Sequence, residues 1–158
     1  MSFFSTHKTL GILGGGQLGK MLLYTTRKWD IKTSVLDPSE EAPCKIGCDY
    51  FEIGDFKDYD TVYQFGKKVD VLTFEIEHVN LEALKQLEKE GVHVYPSAAT
   101  LEVIQNKSTQ KDFYKNNNIP TAPHQNFDDV YQLKEAIKNK ELNLPFVWKS
   151  ALLGYDGN

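Results

Sequence analysis

Residues 14–19 read GGGQLG, set between the apolar run LGIL at 10–13 and the stretch KMLLY at 20–24. Written as G-x-G-x-x-G, this is a glycine turn between a β-strand and an α-helix, and that order of elements constrains the fold more than any other feature of the chain. Gly14 and Gly16 allow turns that a β-carbon would obstruct, and Gly19 lets the helix approach the sheet. The backbone N–H groups of Gly15, Gly16 and Gln17 can point at an anion, aided by the partial positive charge of the helix start. The bland alternative is a tight turn whose glycines serve packing alone.

The rest of the first half repeats the pattern. Strands are expected at Thr9–Leu13, Lys32–Leu36, Asp49–Ile53, Asp70–Phe74 and Val92–Tyr95, with helices at Gln17–Lys28, Tyr59–Lys68 and Leu81–Glu90. Leu81, Leu84 and Leu87 fall on one helical face, with Asn80 as cap and Gly91 as stop. Strands alternating with helices imply an α/β fold with a mostly parallel, doubly wound, Rossmann-like sheet. Ligands of such sheets sit outside the carboxyl ends of the strands, which selects the loops GGGQLG, DPSEEAP and EIEHVN.

The pattern changes after Pro96. Short helices are expected at Ala98–Gln105 and Ser108–Asn117, a turn-rich connector at NNNIPTAPHQ, a helix at Asp128–Lys140, a strand at Pro145–Ser150 and a glycine-rich turn at the end, LLGYDGN. A domain boundary is placed at 98/99, giving 1–98 and 99–158. A second domain of about 60 residues buries little core of its own, so the sequence reads as truncated.

Composition excludes several classes. With 18 basic and 22 acidic residues the net charge is −4, which argues against a nucleic-acid partner. No apolar stretch reaches the roughly 20 residues of a membrane-spanning helix, and the start MSFFSTHKTL lacks a secretory pattern. The expected location is cytoplasmic. Cys44 and Cys48 have no second Cys/His pair nearby, which favours two reduced thiols over a metal site. Ser108-Thr109-Gln110-Lys111 fits S-x-x-K without its companion motifs and is set aside.

Four positions carry chemistry beside a structural alternative. Asp37 ends the second strand 18 residues after Gly19, where a dinucleotide enzyme keeps its ribose-binding acid, but Asp37-Pro38 is equally a strand stop and turn. Glu75 and Glu77 follow the DVLTF strand, and alternation would put both on one face, either toward a ligand hydroxyl, amine or metal, or in solvent. Lys149 lies in the apolar run FVWKS just before GYDG, a pairing that suits nucleotide phosphates but also fits an edge-strand lysine facing water.

Taken together, GILGGGQLGKML, VLDP, DVLTFEIEHVN, VYPSAATLEVIQNKSTQKDF, NIPTAP and LPFVWKSALLGYDGN occur in this order over nearly the whole chain. They closely resemble the N5-carboxyaminoimidazole ribonucleotide synthase family of ATP-grasp ligases and carboxylases in purine biosynthesis. The resemblance implies a Rossmann-like (pre-ATP-grasp) domain here, followed by the start of an ATP-grasp domain. It implies ATP-dependent carboxylation of 5-aminoimidazole ribonucleotide with bicarbonate, through carboxyphosphate, to N5-carboxyaminoimidazole ribonucleotide, ADP and phosphate. Mg²⁺ would assist, its ligands lying beyond residue 158. A homodimer is also implied.

Residue by residue, the resemblance implies ribonucleotide contacts at Gly15, Gly16, Gln17, Leu18, Glu75 and Tyr155. It implies ATP contacts at Lys107, Lys149, Gly154, Tyr155, Asp156, Gly157 and Asn158. Lys107 stands where the family usually has arginine, which keeps the charge and loses the planar fork. Asn158 stands where lysine is common. No catalytic residue is assigned within the chain, and the 158-residue chain is expected not to complete a catalytic cycle alone. Two other readings compete: a Rossmann-domain NAD(P)- or flavin-dependent oxidoreductase, which leaves FEIE, Lys149 and GYDG unexplained, and a freestanding nucleotide- or anion-binding module.

Overall fold

A computed structural model of the chain describes residues 7–152, which divide into two compact units, Met1–Glu102 and Val103–Asn158. The first is the expected α/β unit. Its strands are β1 (Thr9–Leu13), β2 (Lys32–Asp37), β3 (Tyr50–Ile53), β4 (Val71–Phe74) and β5 (His93–Val94), all parallel, in the order β3-β2-β1-β4-β5. Its helices are α1 (Gln17–Arg27), α2 (Tyr59–Gly66), α3 (Leu81–Lys89) and α4 (Ala98–Gln105), the last running past the division between units. The expected element order is reproduced, with ends moved by one or two residues.

The sheet is wound on both faces because neighbouring strand residues point opposite ways. Leu13, Leu36 and Leu72 share a core with Val62 and Phe65 of α2 and Leu84 and Leu87 of α3. Ile12 and Val35 share the other core with Leu23 of α1 and Cys44. All of these are at most 2% exposed, and burying each such aliphatic side chain contributes about 1.5–3 kcal/mol. Strand order reverses at β1, which pairs with β2 on one side and β4 on the other. The crevice outside the ends of β1 and β4 is therefore the topological switch point.

Hydrogen bonds fix the ends of these elements. Asp58 accepts from the Thr61 N–H at 2.8 Å and Asn80 from the Ala83 N–H at 2.9 Å, capping α2 and α3. Asp49 accepts from the Thr33 N–H (2.8 Å), the Thr33 hydroxyl (3.1 Å) and Arg27 (3.0 Å), tying β2 and α1 to the start of β3. Partial burial alone would raise the Asp49 carboxyl, but the Thr33 and Arg27 donors hold it below the usual carboxylate range.

The second unit has α5 (Lys107–Asn116), capped by Asn106, and α6 (Val130–Lys138), capped by Asp129. The helix expected from Ser108 thus begins one residue earlier, because Asn106 accepts from the N–H groups of Ser108 and Thr109. The strand expected at Pro145–Ser150 is a correction: this segment forms no strand. An apolar β-rich run becomes a strand only with a neighbouring backbone to pair with, and here Val147 and Trp148 are 78% and 54% exposed.

Candidate functional site

The loop after β1 is stitched to the strands on either side. Gly14 donates its N–H to the Leu36 carbonyl at 2.9 Å. Gly15 donates to Asp37 Oδ2 at 2.7 Å and Gly16 to Glu75 Oε1 at 2.9 Å. Two of the three N–H groups expected to face an anion therefore meet carboxylates of the chain itself, one from the end of β2 and one from just past β4.

Those carboxylates account for the run of three glycines. Gly14 has φ +97°, a conformation that side chains disfavour, and an added β-carbon would lie 2.8 Å from Glu75 Cγ. At Gly16 it would lie 2.7 Å from Glu75 Oε1, and at Gly15 3.1 Å from Asp37 Cβ. The Glu75 side chain rests where β-carbons of residues 14 and 16 would crowd it, and Asp37, Ala42 and Val35 close the space at Gly15. Gly19 plays the packing role expected of it, with its β-carbon position 2.8 Å from the Gly14 carbonyl.

The start of α1 differs from the other helix starts. Gly16 occupies its N-cap position with no side-chain cap. Among the described residues no side chain accepts from the N–H groups of Gln17, Leu18 or Gly19, so the first turn keeps its donors and partial positive charge. Gln17 and Leu18 are exposed at the mouth of the crevice.

Glu75 and Glu77 part company. β4 ends at Phe74 and residues 75–77 form a bend, so the alternation expected to place both on one face does not extend to them. Ile76 and Val79 pack into the core beneath α2 and α3, which leaves Glu77 exposed and Glu75 half-buried against the glycines. Glu75 Oε2 has no hydrogen-bond partner among the described residues, so one oxygen of this carboxylate can accept from a hydroxyl or amine.

Asp37 is engaged on both oxygens. Oδ2 takes the Gly15 N–H, and Oδ1 takes the Ser39 N–H at 2.8 Å, the side-chain turn that Asp-Pro-Ser favours. Sequence reading found the turn and missed the bond to Gly15. Cys44 was missed too: its N–H donates to the Gly15 carbonyl at 3.0 Å, and its thiol lies 3.7 Å from the Gly16 carbonyl. Burial first, then the nearby Cys48, Glu75 and Asp37, push the Cys44 thiol up to about 11, so it is a packed, protonated floor under the loop. Both cysteines are free.

A surface groove of about 400 Å³ lies on the flank of α1, bordered by Lys20, Tyr24, Arg27 and Ile46. Neither Asp37 nor Glu75 lines it, so the loop chemistry sits elsewhere. Among the described residues no three His, Cys, Asp or Glu side chains are grouped to hold a metal, and no helix is long and apolar enough to cross a membrane.

The two lysines assigned to ATP lie in the second unit. Lys107 opens α5, and its N–H donates to the Ala151 carbonyl at 2.8 Å, which brings the segment just after Lys149 to the start of that helix. Lys149 is exposed. Gly154, Tyr155, Asp156, Gly157 and Asn158 lie outside the described residues.

Comparison with known proteins gives these features a context. Residues 7–105 match the family model described as the ribonucleotide synthetase preATP-grasp domain. The chain is 39% identical over 148 residues to a chloroplastic phosphoribosylaminoimidazole carboxylase of Vigna aconitifolia, covering 94% of this chain and 26% of that protein. It is 35% identical over 149 residues to an N5-carboxyaminoimidazole ribonucleotide synthase of Staphylococcus epidermidis, covering 94% and 39%. Among solved structures, it resembles N5-carboxyaminoimidazole synthase of Aspergillus clavatus in complex with ADP and 5-aminoimidazole ribonucleotide, with a TM-score of 0.84, 36% identity, and 93% and 39% coverage. The chain thus spans well under half the length of these relatives.

Proposed function

The chain belongs to the ribonucleotide synthetase preATP-grasp family, and we propose that it serves the ATP-dependent carboxylation of 5-aminoimidazole ribonucleotide by bicarbonate in purine biosynthesis. The observation that carries this reading is Glu75 held by the Gly16 N–H at 2.9 Å. A carboxylate with one oxygen fixed and one available suits the hydroxyls or amine of a ribonucleotide. It does not suit a pyrophosphate, whose charge it would repel. The first turn of α1, with Gln17 and Leu18 at its exposed edge, would border the same ligand. ATP would be met by Lys107, Lys149 and residues 154–158, and transfer through carboxyphosphate would require exclusion of water. Mg²⁺ on the nucleotide phosphates, a homodimer and a cytoplasmic location belong to the same proposal.

The oxidoreductase reading leaves Glu75, Lys149 and GYDG without a role, and Asp37, its main support, has a structural role of its own in holding the Gly15 and Ser39 N–H groups. Amide spectra of the isotopically labelled chain separate the readings. The expected result is that aminoimidazole ribonucleotide shifts the amides of 14–19 and Glu75, while ATP shifts those of Lys107 and Lys149. Shifts at 14–19 with NAD(H) or NADP(H), and none with the ribonucleotide, would overturn the proposal.

A further inference from the structure

We propose that Asp37 is a positioning residue that sets the orientation of Glu75 toward its ligand. The inference rests on the functional reading above and adds a residue that need not touch the ligand. Three consecutive N–H groups fasten the loop: Gly14 to the Leu36 carbonyl, Gly15 to Asp37 and Gly16 to Glu75. The Gly16 N–H belongs to the peptide that joins it to Gly15. That planar peptide is held at its carbonyl by the Cys44 N–H at 3.0 Å. Asp37 holds the preceding Gly14–Gly15 peptide, so the planes on both sides of the Gly15 Cα are set, and with them the direction of the Gly16 N–H and the fixed oxygen of Glu75.

Asp37 is built for this task. Its Oδ1 is anchored by the Ser39 N–H at 2.8 Å and its Oδ2 receives Gly15 at 2.7 Å, so the carboxylate plane is set from the β2 side. Val35 and Ala42 close the space around Gly15, at 3.2 and 3.1 Å from the position of an added β-carbon. Among the described residues the Glu75 carboxylate has no other hydrogen-bond anchor, which makes the Gly16 N–H the bond that decides which way its second oxygen faces. Asp37 and Glu75 thus act in series through two adjacent glycine peptides.

The test is Asp37→Asn, which keeps the shape but replaces one acceptor oxygen by an NH2 group, so Gly15 and Ser39 cannot both be served. In the full-length protein, the expected result is a KM for aminoimidazole ribonucleotide raised about tenfold, the factor that follows from misplacing one charge-assisted hydrogen bond, with the KM for ATP changed less than about twofold. In a Glu75→Gln background, Asp37→Asn is expected to add little further, because coupled residues are non-additive. Equal ribonucleotide KM in wild type and Asp37→Asn, or a fully additive double variant, would overturn the inference. Should Asp37→Asn fail to fold, Asp37→Glu keeps both acceptors one methylene out of place. The same selective rise supports the proposal there, and unchanged KM values overturn it. If the wild-type protein shows no ribonucleotide-dependent turnover, the functional reading itself fails, which a wild-type control separates from failure of the Asp37 role.

Discussion

The two units of this chain use the same local signals to opposite effect. Apart from α1, each has helices that start at a side-chain cap: Asp58 and Asn80 in the first, Asn106 and Asp129 in the second. In the first unit the capped helices lie on a sheet, and Phe65, Leu84 and Leu87 are at most 1% exposed. In the second, Ala136 is the buried apolar residue among those described, while Tyr131, Leu144 and Val147 are each at least 74% exposed. Local sequence suffices to start and stop a helix, but burial needs a partner surface.

The sharpest test of that contrast is a cavity in the first unit. Leu87→Ala removes a fully buried side chain and is expected to cost about 2–5 kcal/mol, read from denaturant unfolding followed at the first unit; a loss below about 1 kcal/mol would mean the packing contrast is overstated. Caps come next, and here the units should agree. Asp58→Ala and Asp129→Ala are each expected to cost about 0.5–2 kcal/mol of local helix stability, measured by amide exchange at 61–66 and 131–138.

Ion pairing separates the units again. Glu90 accepts from Lys67 at 2.7 Å, Gln86 at 2.7 Å and Tyr63 at 2.9 Å, and these donors, Lys67 foremost, lower its carboxyl to about 2. A lowered folded-state value means the contribution is complete above the ordinary value of 4.5 and fades as pH falls toward 2. Acid unfolding of wild type and Glu90→Gln should therefore differ near neutrality and converge at low pH; a constant difference would break the assignment. In the second unit the comparable pairs are longer, His124–Asp112 at 3.7 Å and Lys138–Glu135 at 3.5 Å. The smallest effect is expected at Val147→Ser, within about 0.5 kcal/mol, since that side chain is 78% exposed. A larger loss would show that the 145–150 segment packs more firmly than its exposure implies.

The order of elements in the first unit was legible because each signal is local: the apolar run LGIL, the Leu81–Leu84–Leu87 face, Asn80 and Gly91 at the ends of α3. The fate of 145–150 was not, because strand formation depends on a pairing partner that composition does not supply. The site divides likewise. Glycine spacing and a glutamate at a strand end are visible in the sequence. The bonds from Gly15 to Asp37 and from Gly16 to Glu75 span 22 and 59 positions, and no periodicity relates residues so far apart. Alternation in FEIE put Glu75 and Glu77 on one face, and the bend after Phe74 separates them.

The nesting of carboxylates against the glycines also has a consequence for how such sequences can vary. Positions 14, 16 and 75 occupy one shared volume, so they should change together or not at all. In a library randomised at Gly16 and Glu75 and selected for folding, alanine at 16 should be recovered chiefly beside a shorter residue at 75, such as serine. A glycine kept alongside a long acid, and an alanine beside a short side chain, are then two fillings of the same mould.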